Sequence, residues 1–274
     1  MTRAPKAFPG FGRCIYCGRT DDLRDEHIIP HSLGGDTVIS NASCPDCEKI
    51  TSYLDGYLAR DTFNEYRSHV GLRSRRPKGR PKTLIASFRR PDGTEIHREF
   101  SIADQPYVVL MPIWNVPGIS VGKSPTPEFD TAQGHAYIFT TPEVQQWIDQ
   151  EGLKLGVWPY INYPTFARAI ARISYCHAVA ALGLDGFNNL DLPDLILGKY
   201  PNPSHYVGVT RDVPPPPDHR DIPHKIEMHF YARPEQQYLL VSLRLFAHSG
   251  YLGNGMPIYR TIVGAPLPSA QPLR

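Results

Sequence analysis

The sequence contains few cysteines, five in 274 residues, and its apolar runs are short. YVVLMPIW is about the longest of these runs, far below the roughly 18 residues that a membrane-spanning helix needs. The first residues, MTRAPKAFPGFGR, have no apolar segment typical of a secretory signal, so we expect a cytoplasmic chain with reduced thiols. A content of 41% apolar and 20% charged residues is typical of globular proteins.

Neither positive nor negative charge is in large excess overall, because the net charge is only +2. The charges are, however, unevenly distributed along the chain. The sharpest feature is the segment LRSRRPKGRPKTLIASFRR, Leu72 to Arg90, which has eight cations and no acidic residue. It predicts a strap that contacts phosphates, and the alternative is a solvated basic linker. The candidate nucleic-acid-binding residues are Arg73, Arg75, Arg76, Lys78, Arg80 and Lys82.

Hydrophobic periodicity predicts an α+β fold with an antiparallel sheet. A helix is expected from Pro45 to about Arg60, followed by a short helix that ends before Gly71. Beyond the basic run, TLIASFRR-PDG-TEIHREFSI and KIEMHFYA-RPEQQ-YLLVSLRLFA indicate two β-hairpins. A helix capped by Thr141 and a long central helix over PTFARAIARISYCHAVAALGL complete the pattern. We therefore expect an N-terminal domain (1–71), a basic linker or strand (72–90) and a C-terminal α+β domain (91–274).

Four of the five cysteines form two C-x-x-C pairs, Cys14/Cys17 and Cys44/Cys47, separated by 26 residues. This spacing is typical of a tetrahedral structural zinc site, in which each short turn supplies two thiolates. Disulfides are disfavoured in a reducing compartment, and a redox C-x-x-C is disfavoured because there are two pairs. A zinc ion would also compensate for the small core that such a short N-terminal domain can bury.

The motifs around these cysteines resemble the HNH endonuclease family with its ββα-metal fold. The matching pieces are C-x-x-C at 14–17, EHIIP at 26–30, S-x-G-G at 32–35, Asn41, and C-x-x-C at 44–47 opening a helix. They cover roughly residues 10–60, about a fifth of the chain. The sequence is similar in particular to bacterial stand-alone HNH proteins whose long C-terminal region has no assigned role.

The resemblance implies a nuclease that hydrolyses phosphodiester bonds in DNA. It makes His27 the general base and Glu26 a ligand of a catalytic Mg²⁺ or Mn²⁺ ion, and it makes Asn41 the residue that orients the histidine. Such chemistry needs an activated water, a proton acceptor and a cation at the scissile phosphate. Families of this kind act in restriction, phage defence and mobile elements.

Two positions depart from the family pattern. Glu48 stands where His or Asn is usual, just after the second C-x-x-C pair, although a carboxylate can also bind Mg²⁺ or Mn²⁺. Asn41 lies closer to Cys44 than is usual, so a turn or helix-cap role is its alternative. Along the strand, Asp25 alternates with Glu26, and the family register favours Glu26 for the metal.

These departures leave a second function open, a zinc-stabilised nucleic-acid-binding module without catalysis. DNA is the expected partner in either case, and no membrane is expected. The C-terminal domain would recruit a partner protein or a second copy of the chain. Arg168 and Arg172, one turn apart on the central helix, are either a phosphate-binding face or an ion-paired face.

Overall fold

The computed structural model describes residues 6–72, 82–156, 160–210, 224–247 and 257–267. Its helices and mainly antiparallel sheets confirm the expected α+β class. The strands are β1 (Lys6–Phe8), β2 (Arg24–His27), β3 (Thr37–Ser43), β4 (Thr83–Arg89), β5 (Glu95–Ser101), β6 (Tyr107–Ile113), β7 (Gln133–Phe139), β8 (Lys154–Leu155), β9 (Phe187–Asn188), β10 (Val207–Thr210), β11 (His224–Ala232), β12 (Gln237–Leu245) and β13 (Ile258–Pro266). The helices are α1 (Pro45–Gly56), α2 (Asn64–His69), α3 (Pro142–Gln150), α4 (Tyr163–Leu182), α5 (Leu192–Leu197) and α6 (Pro203–Tyr206).

The N-terminal part is a ββα unit. β2 pairs antiparallel with β3, β1 pairs parallel with the other edge of β3, and α1 follows directly. Pro45 occupies the first turn of α1, where its missing N–H leaves no hydrogen bond unmade. The helix expected up to about Arg60 continues beyond α1 as a π-helical segment at Tyr57–Thr62. α2 then confirms the expected second short helix.

The C-terminal part is built on a sheet with the order β10-β13-β12-β11, and β9 extends it by pairing with β13. β11 and β12 form the hairpin that the sequence indicates. α4 is the predicted central helix, capped by the Asn162 side chain, which accepts a hydrogen bond from the backbone N–H of Thr165. It packs against this sheet on one side and against α1 on the other, so it is buried nearly all round.

One hydrophobic core runs through the ββα unit and the C-terminal part. Phe63, which follows the π-helical segment, is fully buried with its ring 5.0 Å from that of Phe246 and 6.4 Å from that of Phe166 on α4. Tyr16, within the first C-x-x-C pair, lies 5.8 Å from the ring of Tyr175 on α4. The sequence boundaries at residues 71 and 91 therefore do not separate two independent cores.

A second, smaller core belongs to the segment just after the basic run. β4 and β5 form the predicted hairpin, β8 pairs with β4, and α3 covers one face. Thr141 caps α3, as predicted, by accepting a hydrogen bond from the backbone N–H of Val144. Phe88, Phe100 and Trp147 fill this core, and the guanidinium of Arg98 lies 4.3 Å from the Trp147 ring centroid. The second half of the predicted linker is thus a strand.

Candidate zinc and nuclease site

The four clustered cysteines converge in space. Their sulfur atoms all lie within 4.8 Å of one another, and the Cys17 and Cys44 sulfurs are 3.6 Å apart. Zn–S bonds of about 2.3 Å in a tetrahedron place sulfurs about 3.8 Å apart, so the cluster has the dimensions of a four-thiolate zinc site. Within the described ranges, no other group of three or more His, Cys, Asp or Glu side chains converges in this way.

Backbone hydrogen bonds hold the two cysteine pairs in place. The N–H of Gly18 donates to the Cys14 carbonyl at 2.9 Å, which closes the first turn, and the N–H of Ile15 donates to Ala42 of β3 at 2.8 Å. Cys44 is the N-cap residue of α1. Although burial favours the neutral thiol, the backbone N–H of Cys47 and the neighbouring thiols outweigh it and lower the pKa of Cys44. Burial raises the pKa of Cys17 and that of Cys47 instead, so among the thiols with a shifted pKa only Cys44 favours the thiolate that zinc requires.

The S-x-G-G motif forms a tight turn after β2. A single 3₁₀ turn spans His31–Leu33, and Gly34 ends it with a φ of 95°, a conformation that favours glycine. A Cβ atom at Gly35 would lie 2.0 Å from the carbonyl oxygen of Ile29, so a side chain does not fit there. The turn brings the His31 ring to 5.8 Å from the His27 ring. Two half-buried histidines therefore lie side by side at the end of β2.

Side chains along β2 alternate between an outer and an inner face. Asp25 is exposed and His27 is half-buried, whereas Glu26 and Ile28 are buried. The Asp25 carboxylate accepts a hydrogen bond from the backbone N–H of Asn41 at 3.0 Å. The candidate base and the candidate metal ligand therefore point to opposite faces of the strand.

Glu26 is bound by the central helix rather than open to a metal. Its Oε1 accepts hydrogen bonds from Nη2 and Nε of Arg172 at 2.7 and 3.0 Å, and from the Tyr16 hydroxyl at 3.1 Å. Glu26 is 3% exposed and Arg172 is 2% exposed. The expectation of Glu26 as a ligand of Mg²⁺ or Mn²⁺ does not fit this arrangement, because the carboxylate already has a buried cationic partner.

Asp55 completes this buried ionic cluster. Its Oδ2 lies 3.3 Å from Nη2 of Arg172, and Nη1 of the same guanidinium donates to the carbonyl of Ile28 at 3.0 Å. Burial alone would lower the pKa of Arg172, but Asp55 and Glu26 outweigh it and raise that pKa well above its usual range. Arg172 therefore stays charged, and of the two sequence alternatives for the arginines on α4, it takes the ion-paired one.

Tyr16 and Cys176 extend the cluster with neutral groups. The Tyr16 hydroxyl lies 3.2 Å from the sulfur of Cys176, which is fully buried. Burial, followed by the nearby Cys176 and Glu26, raises the pKa of Tyr16 well above its usual range. Burial raises the pKa of Cys176 to about 12, so this cysteine is an inert thiol.

Glu48 lies on the first turn of α1 and pairs with Arg24 of β2 through a short contact between Oε2 and Nη1. The Glu48 side chain is 34% exposed and that of Arg24 is 51% exposed, so solvent reaches both. An exposed pair of this kind contributes little and separates easily. Glu48 is thus a more accessible carboxylate than Glu26.

Asn41 lies opposite Asp25 rather than opposite His27. The pairing of β2 with β3 shifts register between Arg24 and Glu26, and the direct partner of His27 is Val38. Asn41 is exposed and has a φ of 48°, in the left-handed region that Asn tolerates at irregular positions. Asn41 lies inside β3, so it is neither a hairpin-turn residue nor the cap of α1, and its expected action on His27 stays a prediction.

The predicted basic strap is described only at its end. Arg73, Arg75, Arg76, Lys78 and Arg80 lie outside the described residues, and Lys82 is exposed just before β4. Arg168, the other arginine considered for phosphate binding, donates through Nη2 to the carbonyl of Ile196 at 2.9 Å. The two arginines of α4 are therefore used inside the protein.

The main feature that the sequence did not reveal is the cluster of Glu26, Asp55 and Arg172. The sequence did hold one signal, because an arginine within an otherwise apolar helix needs a buried partner of opposite charge. Its partners are 146 and 117 positions away in the chain, and no local pattern could identify them.

Comparison with known protein families finds a match in the N-terminal part of the chain. The family model described as HNH endonuclease matches residues 14–62, which span both C-x-x-C pairs, His27 and the whole of α1. The match confirms the resemblance drawn from the motifs, and HNH domains imply a nuclease that acts on nucleic acid. Comparison with curated proteins and with solved structures finds no match. Over the described part of the chain, the helices are too short or too polar to span a bilayer.

Proposed function

We propose that this protein is an endonuclease that hydrolyses phosphodiester bonds in DNA, with His27 as the general base. The observation that supports it best is the position of His27. The histidine ends β2 in a half-buried position, inside a ββα unit held by the four-cysteine cluster and within the matched HNH segment. A histidine fixed by such a hairpin can accept the proton of an attacking water near neutral pH.

The divalent ion expected from the family would need a ligand other than Glu26. Glu48 is the candidate that remains from the sequence, since only an exposed arginine holds it. A carboxylate favours Mg²⁺ or Mn²⁺ through hard oxygen contacts. When bound, such an ion would neutralise charge on the scissile phosphate. In this proposal His31, whose ring lies 5.8 Å from that of His27, contacts the same phosphate.

Binding to DNA would come from the basic segment, residues 73–82. Each phosphate neutralised by a lysine or arginine adds about −0.9 to the slope of the logarithm of affinity against the logarithm of salt concentration. Replacing Arg75 and Arg76 by alanine should therefore make this slope shallower by about 2. Fluorescence anisotropy with a labelled duplex at several salt concentrations measures it, and an unchanged slope would assign the segment to the linker alternative.

Cleavage of supercoiled plasmid tests the enzyme. We expect nicking or linearisation with Mg²⁺ or Mn²⁺, none with EDTA, and a loss of about 10²–10⁴-fold in His27→Ala. His97→Ala, in an exposed hairpin away from the ββα unit, is the matched control and should cut like the wild type. Zinc content must be equal in all three proteins. Equal cleavage by wild type and His27→Ala would refute the role of His27.

The second candidate function is a zinc-stabilised module that binds nucleic acid without cutting it. The neutralisation of Glu26 by Arg172 favours it, because the carboxylate beside the candidate base is no longer available to a metal. Retained zinc and DNA binding with no cleavage under Mg²⁺, Mn²⁺ or Ni²⁺ would select this function over the first.

A place in restriction or phage defence rests on the family resemblance alone. Phage plating on cells that produce either the wild type or His27→Ala tests it. We expect protection only with the wild type, and equal plating on both strains would remove this role.

Size-exclusion chromatography with light scattering tests the expected self-association through the C-terminal part.

A further inference from the structure

The guanidinium of Arg172 lies between two carboxylates from different elements of the HNH segment. Nη2 contacts Oε1 of Glu26 at 2.7 Å and Oδ2 of Asp55 at 3.3 Å, so these two oxygens lie no more than 6.0 Å apart. One carboxylate comes from β2 and the other from the end of α1. The guanidinium thus links the first strand and the helix of the ββα unit.

We propose that the guanidinium of Arg172 occupies the cation position between these two carboxylates and thereby prevents divalent metal ions from binding there. The C-terminal part of the chain thereby supplies, from α4, the positive charge that Glu26 would otherwise take from Mg²⁺ or Mn²⁺. This exclusion does not require that the protein cuts DNA, and its test measures metal binding and stability rather than cleavage.

Charge and burial both support the exclusion. The guanidinium neutralises Glu26 and is shared with Asp55, so the pair attracts only weakly an ion that must lose water to bind. Glu26 and Arg172 are almost fully buried, and such a pair is costly to break because each charge would be left alone in the interior. An ion would have to replace the arginine, not join it.

The hydrogen bonds explain why an arginine holds this place. Nε and Nη2 both donate to Oε1 of Glu26, and Nη1 donates to the carbonyl of Ile28, so the planar guanidinium makes three hydrogen bonds to β2 and the residue that follows it. A lysine ammonium offers a single nitrogen and cannot make the same set of contacts. Removal of the arginine leaves the carboxylates of Glu26 and Asp55 facing one gap, and the Asp55 side chain is 25% exposed.

The test is Mn²⁺ binding to the zinc-loaded full chain, followed by the electron paramagnetic resonance signal of free Mn²⁺. Mn²⁺ is a suitable probe because it prefers oxygen ligands and does not displace zinc from thiolates. We expect wild type and Glu26→Gln to bind Mn²⁺ equally. We expect Arg172→Met to gain one site that Arg172→Met/Glu26→Gln lacks. Arg168→Met, one turn earlier on α4, should gain none.

Thermal unfolding gives a readout that a purely structural arginine would not produce. Mn²⁺ should raise the midpoint of Arg172→Met by more than it raises those of the wild type and the double variant. A Mn²⁺ ion in the wild type that Glu26→Gln removes would overturn the proposal, and so would a folded Arg172→Met without a new site. If Arg172→Met does not fold, a Mn²⁺ ion that the wild type binds and Glu26→Gln loses still overturns the proposal.

Discussion

Phe63 joins the ββα unit to the rest of the core, and its truncation tests whether the two parts unfold together. The side chain is fully buried and meets Phe246 and Phe166 edge to face, both from the C-terminal part. A Phe→Ala change in a packed core costs about 3–5 kcal/mol, a large part of the roughly 5–15 kcal/mol that stabilises a typical protein. We expect Phe63→Ala to lower the unfolding free energy by that amount.

Urea unfolding followed by two probes measures this prediction. Trp114, buried in the C-terminal part, reports through its fluorescence when Trp147 and Trp158 are replaced by phenylalanine, and a colorimetric chelator reports release of zinc from the cysteine cluster. Because one core spans both parts, the two probes should give coincident transitions that shift together in Phe63→Ala. Tyr53→Ala is the matched control, since Tyr53 on α1 is 56% exposed and its loss should change stability by less than about 0.5 kcal/mol.

Two separate transitions would refute a single core shared by the ββα unit and the C-terminal part. If Phe63→Ala advanced zinc release but left the Trp114 transition in place, the ββα unit would be an independent domain. A cost below about 1 kcal/mol would equally contradict the packing role assigned to this side chain.

Three further predictions concern zinc and titratable groups. Cys17→Ser should lose zinc during dialysis against a chelator, whereas Cys176→Ser should keep one zinc per chain by metal analysis; equal retention would contradict the four-cysteine site. Cys176 should react with Ellman's reagent only after denaturation, because burial raises its pKa to about 12; rapid reaction in the native protein would contradict its place in the core. Burial lowers the pKa of His177 and, against a weaker opposing effect of Asp191, that of His205. In the unfolded chain these histidines bind protons near pH 6.5, so the stability of the folded protein should fall as the pH drops below about 6.5. His177→Gln should make this fall smaller in thermal melts. An unchanged pH dependence would refute the contribution of His177.

Local patterns in the sequence were sufficient to predict several elements of the fold. The two hairpins follow from alternation and turn residues, and Thr141 and Pro142 mark the start of α3 by ordinary capping chemistry. The cysteine spacing predicted the cluster that the structure brings together. These predictions succeed because the interacting residues are neighbours in the chain or are ligands of one metal ion.

The environment of the candidate site could not be predicted in the same way. The order of residues in EHIIP indicates which side chains share a face of β2, but not what lies against the inner face. That neighbour is α4, whose Arg172 neutralises Glu26 across 146 positions of sequence. Tertiary packing thus decides whether a carboxylate in a nuclease motif is open to a metal.

The most direct test of the proposed enzyme is chemical rescue of the base. The rate of plasmid nicking by His27→Ala should fall by about 10²–10⁴-fold and recover in part when free imidazole is added, because imidazole can accept the proton in place of the missing ring. His31→Ala should not respond to imidazole. Full activity without His27, or a loss that imidazole does not restore at any concentration, would contradict His27 as the general base.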